Sequence, residues 1–360
     1  MGRARIRDLG INLGTIPTGP LNAITDVPGV FVGQVTLIRD VPDVARTGIT
    51  VIVPREGAIG KDYAFAGFHR FNGCGEMTGV QWVEETGLLS SAVALTNTQQ
   101  IGMVRDALAE FSFAHEEYGP FILPVVAETY DGWLNDMRQP HLDREDVFKA
   151  MLAATRGSVA EGNTGGGTGM ICHDFKGGTG TSSRVVETSS GEKYMLGALV
   201  QTNYGERQHL RVDGVPVGRE IGYDMVPTPW QVAPQSSSII VILATDAPLL
   251  GDQCRRLAQR ATSGLARVGG LGHNTSGDLF LAFATGHHVP ADAIAPFPLG
   301  EMIPQGSMNP FFDAVAEVVE ESILNALAAA ETMQGVNGHM AYALPLDETR
   351  QVLAKYGRLG

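Results

Sequence analysis

The stretch "GLGHNTSGDLFLAFATG", residues 270–286, sets a small hydroxyl residue, Ser276, between a glycine-rich turn and an apolar run. Asn, Thr, Ser and Gly make a turn here by ordinary local chemistry. They also meet the needs of a second chemistry. If the Thr275–Ser276 bond were broken, Ser276 would become an N-terminus, and its own α-amine, with an ordinary pKa of about 8, could activate its hydroxyl. Such a centre needs a hydroxyl or thiol side chain, a turn that can strain the preceding bond, and a strand that holds the residue rigidly. All three are present. On these residues alone, turn and nucleophile both stay open.

Other residues offer weaker chemistry. "GNTGGGTG", within residues 161–186, presents backbone N–H groups with few side chains in the way, which suits an oxyanion cradle or a tightly turned connection. It is not a phosphate-binding P-loop, because Lys176 and the hydroxyls after it are wrongly spaced, and no acidic residue completes a dinucleotide fingerprint. Cys172 and His173 are adjacent, but neighbours in sequence rarely face each other productively, and nothing marks that thiol as activated. The nine histidines include the pair His287–His288 but no HExxH motif, and no CxxC is present, so neither metal nor cofactor is expected.

The elements that must position these residues fit one body over 1–360, with no internal repeat or low-complexity linker. Strands are expected at "GVFVGQVTLI", "TGITVIVP", "PFILPVVAET", "YMLGALVQTNYG", "SSSIIVILATDAP" and "DLFLAFATG". "GVQWVEETGLLSSAVALTNT" reads as a short helix, a turn and a strand. Helices are expected at "IGMVRDALAEFSFAHEE", "DREDVFKAMLAATRG", "LLGDQCRRLAQRATSGLARVG" and "PFFDAVAEVVEESILNALAAAETMQG". Strands and helices do not alternate regularly, which disfavours a doubly wound nucleotide fold and favours a layered α/β sandwich. "DLFLAFA" is apolar at successive positions, so that strand should be covered on both faces.

Composition narrows the function classes. Hydrophobic residues make up 44% of the 360, enough for a sizeable core, and 45 glycines imply many turns and close approaches. A net charge of −13 without a basic patch argues against nucleic acid. Cys74, Cys172 and Cys254 read as reduced thiols. Neither a signal-peptide core nor an 18-residue apolar run is found, so a cytoplasmic protein with no membrane partner is expected.

The segments "RDLGI", "GPLNAITDVPGVFVGQVTLI", "LTNT", "ETYDGWLND", "EGNTGGGTGMICHDFKGGTGTSSRVV", "LVQTNYG", "LRVDGVPVGRE", "ATDAPLL", "SGDLFLAFATG" and "EESILNALAAAETMQG" occur in order along the chain. Together they resemble the DmpA/BapA family of N-terminal-serine aminopeptidases, peptidase family S58. The resemblance implies a four-layer αββα sandwich like that of N-terminal-nucleophile hydrolases, with different connectivity. It implies an inactive precursor that cuts itself before a serine, a tetramer of αβ pairs, no cofactor, and release of N-terminal residues (L-α, D-alanine-type or β) from small peptides, amides and esters.

Carried onto this chain, the resemblance makes Ser276 the nucleophile, with an α chain of 1–275 and a β chain of 276–360. Asn203 of "QTNYG" matches the oxyanion position. The family places a serine and a glutamate two residues apart near the nucleophile, and the alignment sets the glutamate at Glu320, or else Glu321. The companion serine then falls on Val318, unless Ser322 compensates, and Thr275 is unusual before the scissile bond. Asp131 and Asp136 are assigned to the substrate ammonium. Two alternatives remain: an ornithine acetyltransferase-like enzyme with a threonine nucleophile, for which Thr275 is the candidate, and an unprocessed, non-catalytic binding member of the family.

Overall fold

The computed structural model describes residues 3–57, 59–115, 121–230 and 237–359. Its elements are β1 (Phe31–Arg39), β2 (Ala45–Val53), β3 (Asp62–Gly73), α1 (Val80–Thr86), β4 (Leu88–Leu89), β5 (Val93–Asn97), α2 (Ile101–Ala114), β6 (Val125–Thr129) and α3 (Arg144–Leu152). There follow β7 (Ile171–Cys172), β8 (Phe175–Lys176), β9 (Gly178–Glu187), β10 (Lys193–Asn203), α4 (Val217–Glu220), β11 (Ser237–Thr245) and α5 (Gly251–Val268). The chain ends with β12 (Ser276–Pro290), α6 (Asn309–Ala329), β13 (Met333–Gln334), β14 (Met340–Ala341) and α7 (Leu346–Lys355).

Two sheets carry the architecture, a smaller one in the order β1-β2-β5-β6 and a larger one in the order β4-β3-β12-β11-β10-β9. Side-chain alternation explains how they stack. Along β11, Ile239, Val241 and Leu243 join the core formed with Leu257, Ala261, Val315 and Val319 of α5 and α6. The intervening Ile240, Ile242 and Ala244 face the smaller sheet and pack with Val93, Leu95 and Val125. On the outer face of the smaller sheet, Ile49, Val51 and Val126 meet Val104 and Leu108 of α2 and Val147 of α3. The layers therefore run helix, sheet, sheet, helix, the expected αββα sandwich, and "DLFLAFA" is covered on both faces as its apolar run predicts.

Parallel pairing occurs at β5–β6 and β11–β12, and the remaining ladders are antiparallel. In each parallel pair the return crossing is a helix on an outer face, α2 or α5. The stripe expected on α5 is buried at Cys254, Leu257, Ala258, Ala261 and Leu265, and Gly269, at φ 101°, closes the helix in the left-handed conformation.

The sequence reading leaves β3 unassigned, although this strand lies beside β12 and pairs with it from Gly277↔Gly73 to Pro290↔Asp62. "DYAFAGFHRFNG" has no β-branched residue, and its small positions serve packing. Gly67 shows why: a Cβ there would stand 2.1 Å from the Arg255 nitrogen of α5. β9, inside the glycine-rich region, is likewise unanticipated. The helix expected over 101–117 is described to Ala114, residues 116 and 117 lie outside the described residues, and so does Ser236 of the strand expected to open there. Among the described residues no helix is long and apolar enough to cross a membrane.

Gly67→Ala tests the tight approach of α5 to β3. The added methyl should cost about 1–3 kcal/mol of stability, read as a lowered urea midpoint, because backbone rather than a flexible side chain stands in its way.

Candidate active site

Four strands of the larger sheet bring their ends to one level. Asn203 closes β10 and pairs with Ser238 of β11, which pairs with Gly277 of β12, which pairs with Gly73 of β3. Strand periodicity then sorts the side chains. Ser238 is two residues before Ile240 and faces the smaller sheet, as Asn203 does. Ser276 is four residues before Phe280 and lies on the opposite, helix-facing side together with Ser237.

Ser276 is buried, and its Oγ donates to Asp278 Oδ1 at 2.6 Å. The Ser237 hydroxyl stands 3.3 Å from that of Ser276. Burial pushes the Asp278 carboxyl up to about 6, against the opposing pull of the Ser276 hydroxyl, the Ile239 N–H and the charge of His273. Around the expected cut, the Ser276 N–H is held by the His273 carbonyl at 2.9 Å, and the Thr275 carbonyl accepts from Ser237 N at 3.4 Å. Asn72 Nδ2 also donates to the His273 carbonyl, at 2.6 Å, pinning the turn.

On the inter-sheet side, Ser238 Oγ donates to the Ser237 carbonyl at 2.6 Å and accepts from the Gly277 N–H at 3.2 Å. Asn203 Oδ1 accepts from the Ile171 N–H at 2.8 Å, and Asn203 Nδ2 donates to the Tyr130 carbonyl at 3.0 Å. A side-chain amide has two N–H hydrogens, and among the described residues only one of them is engaged, which leaves a donor for a ligand. Across the gap, at the end of β6, Glu128 is buried with Thr98 Oγ1 on one oxygen and the Glu76 N–H, at 3.0 Å, on the other. Burial pushes its carboxyl above the ordinary range. Gly75 runs between Glu128 and the serine row: a Cβ there would lie 3.2 Å from Glu128 Oε1 and 3.1 Å from the Gly277 Cα.

The other expected residues are placed elsewhere. Glu320 is paired with Arg267 of α5 at 3.2 Å, and Glu321 with Arg7 and Arg184 at 2.6 and 2.7 Å. Val318 offers its carbonyl to Ser182 Oγ at 2.7 Å, and Ser322 Oγ sits 3.0 Å from that same hydroxyl. None of these α6 side chains has a hydrogen bond to Ser276, Ser237 or Ser238 among the described residues. Asp131 is fully buried, bonded to Asn135 Nδ2 at 3.2 Å, with burial pushing its carboxyl up to about 7. Asp136 clamps Arg138, which holds its carboxyl down to about 2. Both lie past Tyr130 in the chain, beyond the residue that holds Asn203.

The glycine loop is spent on packing. The amides of Gly162, Thr164, Gly165, Gly166, Gly167 and Thr168 all have partners within the protein, so they do not form the oxyanion cradle that their sequence allows. Cys172 is buried and its thiol is pushed up to about 12, while burial draws His173 down to about 4. That pair is inert. Among the described residues no group of three or more His, Cys, Asp or Glu side chains converges as a metal site.

The chain as a whole matches a known family. The model of peptidase family S58 matches residues 22–341. This chain belongs to peptidase family S58. Among its relatives, a β-peptidyl aminopeptidase BapA of Sphingosinicella microcystinivorans is 44% identical over 99% of this chain and 93% of its own length. A β-aminopeptidase of a Burkholderia species superposes with a TM-score of 0.92 at 48% identity, covering 98% of this chain and 99% of its own. The L-aminopeptidase D-Ala-esterase/amidase of Ochrobactrum anthropi, described as a variant of the Ntn-hydrolase fold, superposes at 0.89 with 43% identity over 99% of both chains. The S58 chain is thus an N-terminal-nucleophile aminopeptidase, a hydrolase acting on N-terminal residues. The acetyltransferase and non-catalytic alternatives find no support among these relatives.

Sequence reasoning did not single out three residues that the structure brings to these strand ends: Ser238, Asp278 and Glu128. A signal existed for two of them. A hydroxyl residue precedes a wholly apolar strand twice in the chain, at "SSSIIVILA" and "TSGDLFLAF", and the second is a serine and a carboxylate two residues apart.

Because the Asp278 carboxyl is raised to about 6, it carries its charge, and can hold a neighbouring amine, only above about pH 6. Turnover should therefore show a rising limb centred near pH 6, and Asp278→Asn should remove that limb while lowering the plateau by about 10²-fold. A pH–rate profile of kcat checks it.

Proposed function

We propose that Ser238, rather than Ser276, is the nucleophile, that the chain cuts itself between Ser237 and Ser238, and that the product releases N-terminal residues, β-amino acids among them, from small peptides and amides. The observation that carries this reading is the row Asn203–Ser238–Gly277: one serine shares a face and a register with the oxyanion amide, whereas Ser276 is turned to the other side. The family's serine and carboxylate two residues apart then fall on Ser276 and Asp278, two hydrogen-bonded neighbours, in place of Val318 and Glu320.

In the precursor, Ser238 Oγ attacks the Ser237 carbonyl carbon, the Ser237–Ser238 C–N bond breaks as the hydroxyl proton passes to the departing nitrogen, and water then hydrolyses the resulting ester to the Ser237 carboxylate and the free Ser238 hydroxyl. The freed α-amine of Ser238 forms beside Ile239, whose N–H already reaches the Asp278 carboxylate. There Ser276 and Asp278 hold the amine as it takes the hydroxyl proton from each new nucleophilic attack and returns it to the leaving amine. Asn203 Nδ2 receives the oxyanion. Glu128, buried and reaching toward Gly277 past Gly75, binds the substrate ammonium in place of Asp131 and Asp136. Removal of β-residues is supported by the β-aminopeptidases at 44% and 48% identity, and a tetramer of αβ pairs by the same kinship.

The test compares Ser238→Ala and Ser276→Ala on β-alanine and L-alanine p-nitroanilides. Ser238→Ala should lose at least about 10³-fold in kcat, and Ser276→Ala about 10²-fold with residual turnover. Full activity in Ser238→Ala, with none in Ser276→Ala, would return the nucleophile to Ser276.

A further inference from the structure

Lys176 is excluded as a P-loop lysine by its spacing, yet the fold buries it completely. Its Nζ has three carbonyl oxygens around it: Gly177 at 2.8 Å, Met170 at 2.9 Å and Gly167 at 3.4 Å. It forms no ion pair among the described residues. The peptide group it holds is Met170–Ile171. The carbonyl end of that peptide accepts from Lys176, and its N–H end donates to Asn203 Oδ1 at 2.8 Å.

We propose that Lys176 is a positioning residue for the oxyanion donor, acting on Asn203 through the Met170–Ile171 peptide. The inference rests on the reading of Asn203 as that donor. Two effects run along the same path. The ammonium fixes the peptide plane, which fixes the N–H that orients the Asn203 amide. Its charge also polarises the peptide, strengthening the Ile171 N–H donor, and that bond in turn withdraws electron density from Asn203 Oδ1 and sharpens Nδ2–H as a donor. Hydrogen bonds in series reinforce each other when water is excluded, and Lys176, Met170 and Ile171 are all buried.

A purely structural lysine is the competing explanation, since three loop carbonyls need donors. Desolvation makes an ammonium a costly way to satisfy them. Burial draws it down to about 7, and no carboxylate offsets the loss. A neutral donor would satisfy carbonyls without the burial of a charge. The protonated form, which prevails below about pH 7, sets a charge one peptide away from the Asn203 amide, where the catalytic role can use it.

The test is a double-mutant cycle on the processed enzyme, with rates expressed per processed chain as quantified by intact mass. Lys176→Met should lower kcat about tenfold with KM changed less than about twofold, and Asn203→Ala should lower kcat about 10²- to 10³-fold. In the Asn203→Ala background, Lys176→Met should have no further effect on kcat. Lys176→Gln, which keeps a neutral donor, should lose nearly as much as Lys176→Met, and it carries the cycle if the Met variant does not fold. An equal loss from Lys176→Met with and without Asn203 would overturn the coupling. Full activity in Lys176→Gln would show that the carbonyls need only a donor, which also overturns it. Full activity in Asn203→Ala would remove the oxyanion reading itself, a failure distinct from either.

Discussion

The backbone ladder that aligns Asn203, Ser238 and Gly277 across β10, β11 and β12 is the constraint on which the site depends. Strand periodicity allows no compromise, because a slip of one residue would turn every side chain on a strand to the other face. Register therefore decides which serine shares a face with the Asn203 amide. It also sets Ser276 and Asp278 on the helix-facing side, where their bond is shielded and the carboxyl is raised. The two outer helix layers keep this register by covering apolar residues on alternate positions, so that core packing and catalytic geometry are one arrangement.

Charge is distributed with the same economy. The carboxylates of α6 are committed to arginines: Glu317 and Glu321 to Arg184 and Arg7, Glu320 to Arg267. Arg184 and Glu321 are fully buried, and breaking such a pair strands the remaining charge in the interior. These residues lock the N-terminal segment onto the sandwich and are unavailable for proton transfer. The carboxylates that border the serine row, Asp278 and Glu128, have hydroxyl and amide partners instead, with burial holding both above their ordinary range. Asp278, raised to about 6, can exchange a proton near neutral pH.

Much of the fold was legible in the sequence. Apolar runs at β11 and β12, and the stripe on α5, predict buried strands crossed by an amphipathic helix, and that is how the larger sheet is built. β3 was illegible because its Ala and Gly positions answer to the close approach of α5 rather than to strand propensity. The glycine loop misled in the opposite direction. Bare amides look like an anion cradle in sequence, and only the fold reveals that they are already satisfied. The site was legible in part: Asn203 and the stretch at Ser276 stood out, but which face each occupies depends on pairing between strands distant in sequence. Glu128 sat inside an apolar strand and gave no signal at all. Aligning the family's glutamate with Glu320 leaves Val318 where a serine is expected, whereas Ser276 and Asp278 carry the two-residue spacing and are hydrogen-bonded to each other.

The intact mass of the purified protein, with the N-terminus of its smaller fragment determined, bears most directly on this account. A pair of fragments comprising residues 1–237 and 238–360, absent in Ser238→Ala, is the predicted result. A fragment beginning at Ser276 would contradict the assignment of Ser238 and make the turn at Thr275 the cut site, and one beginning at Thr275 would transfer the role to a threonine.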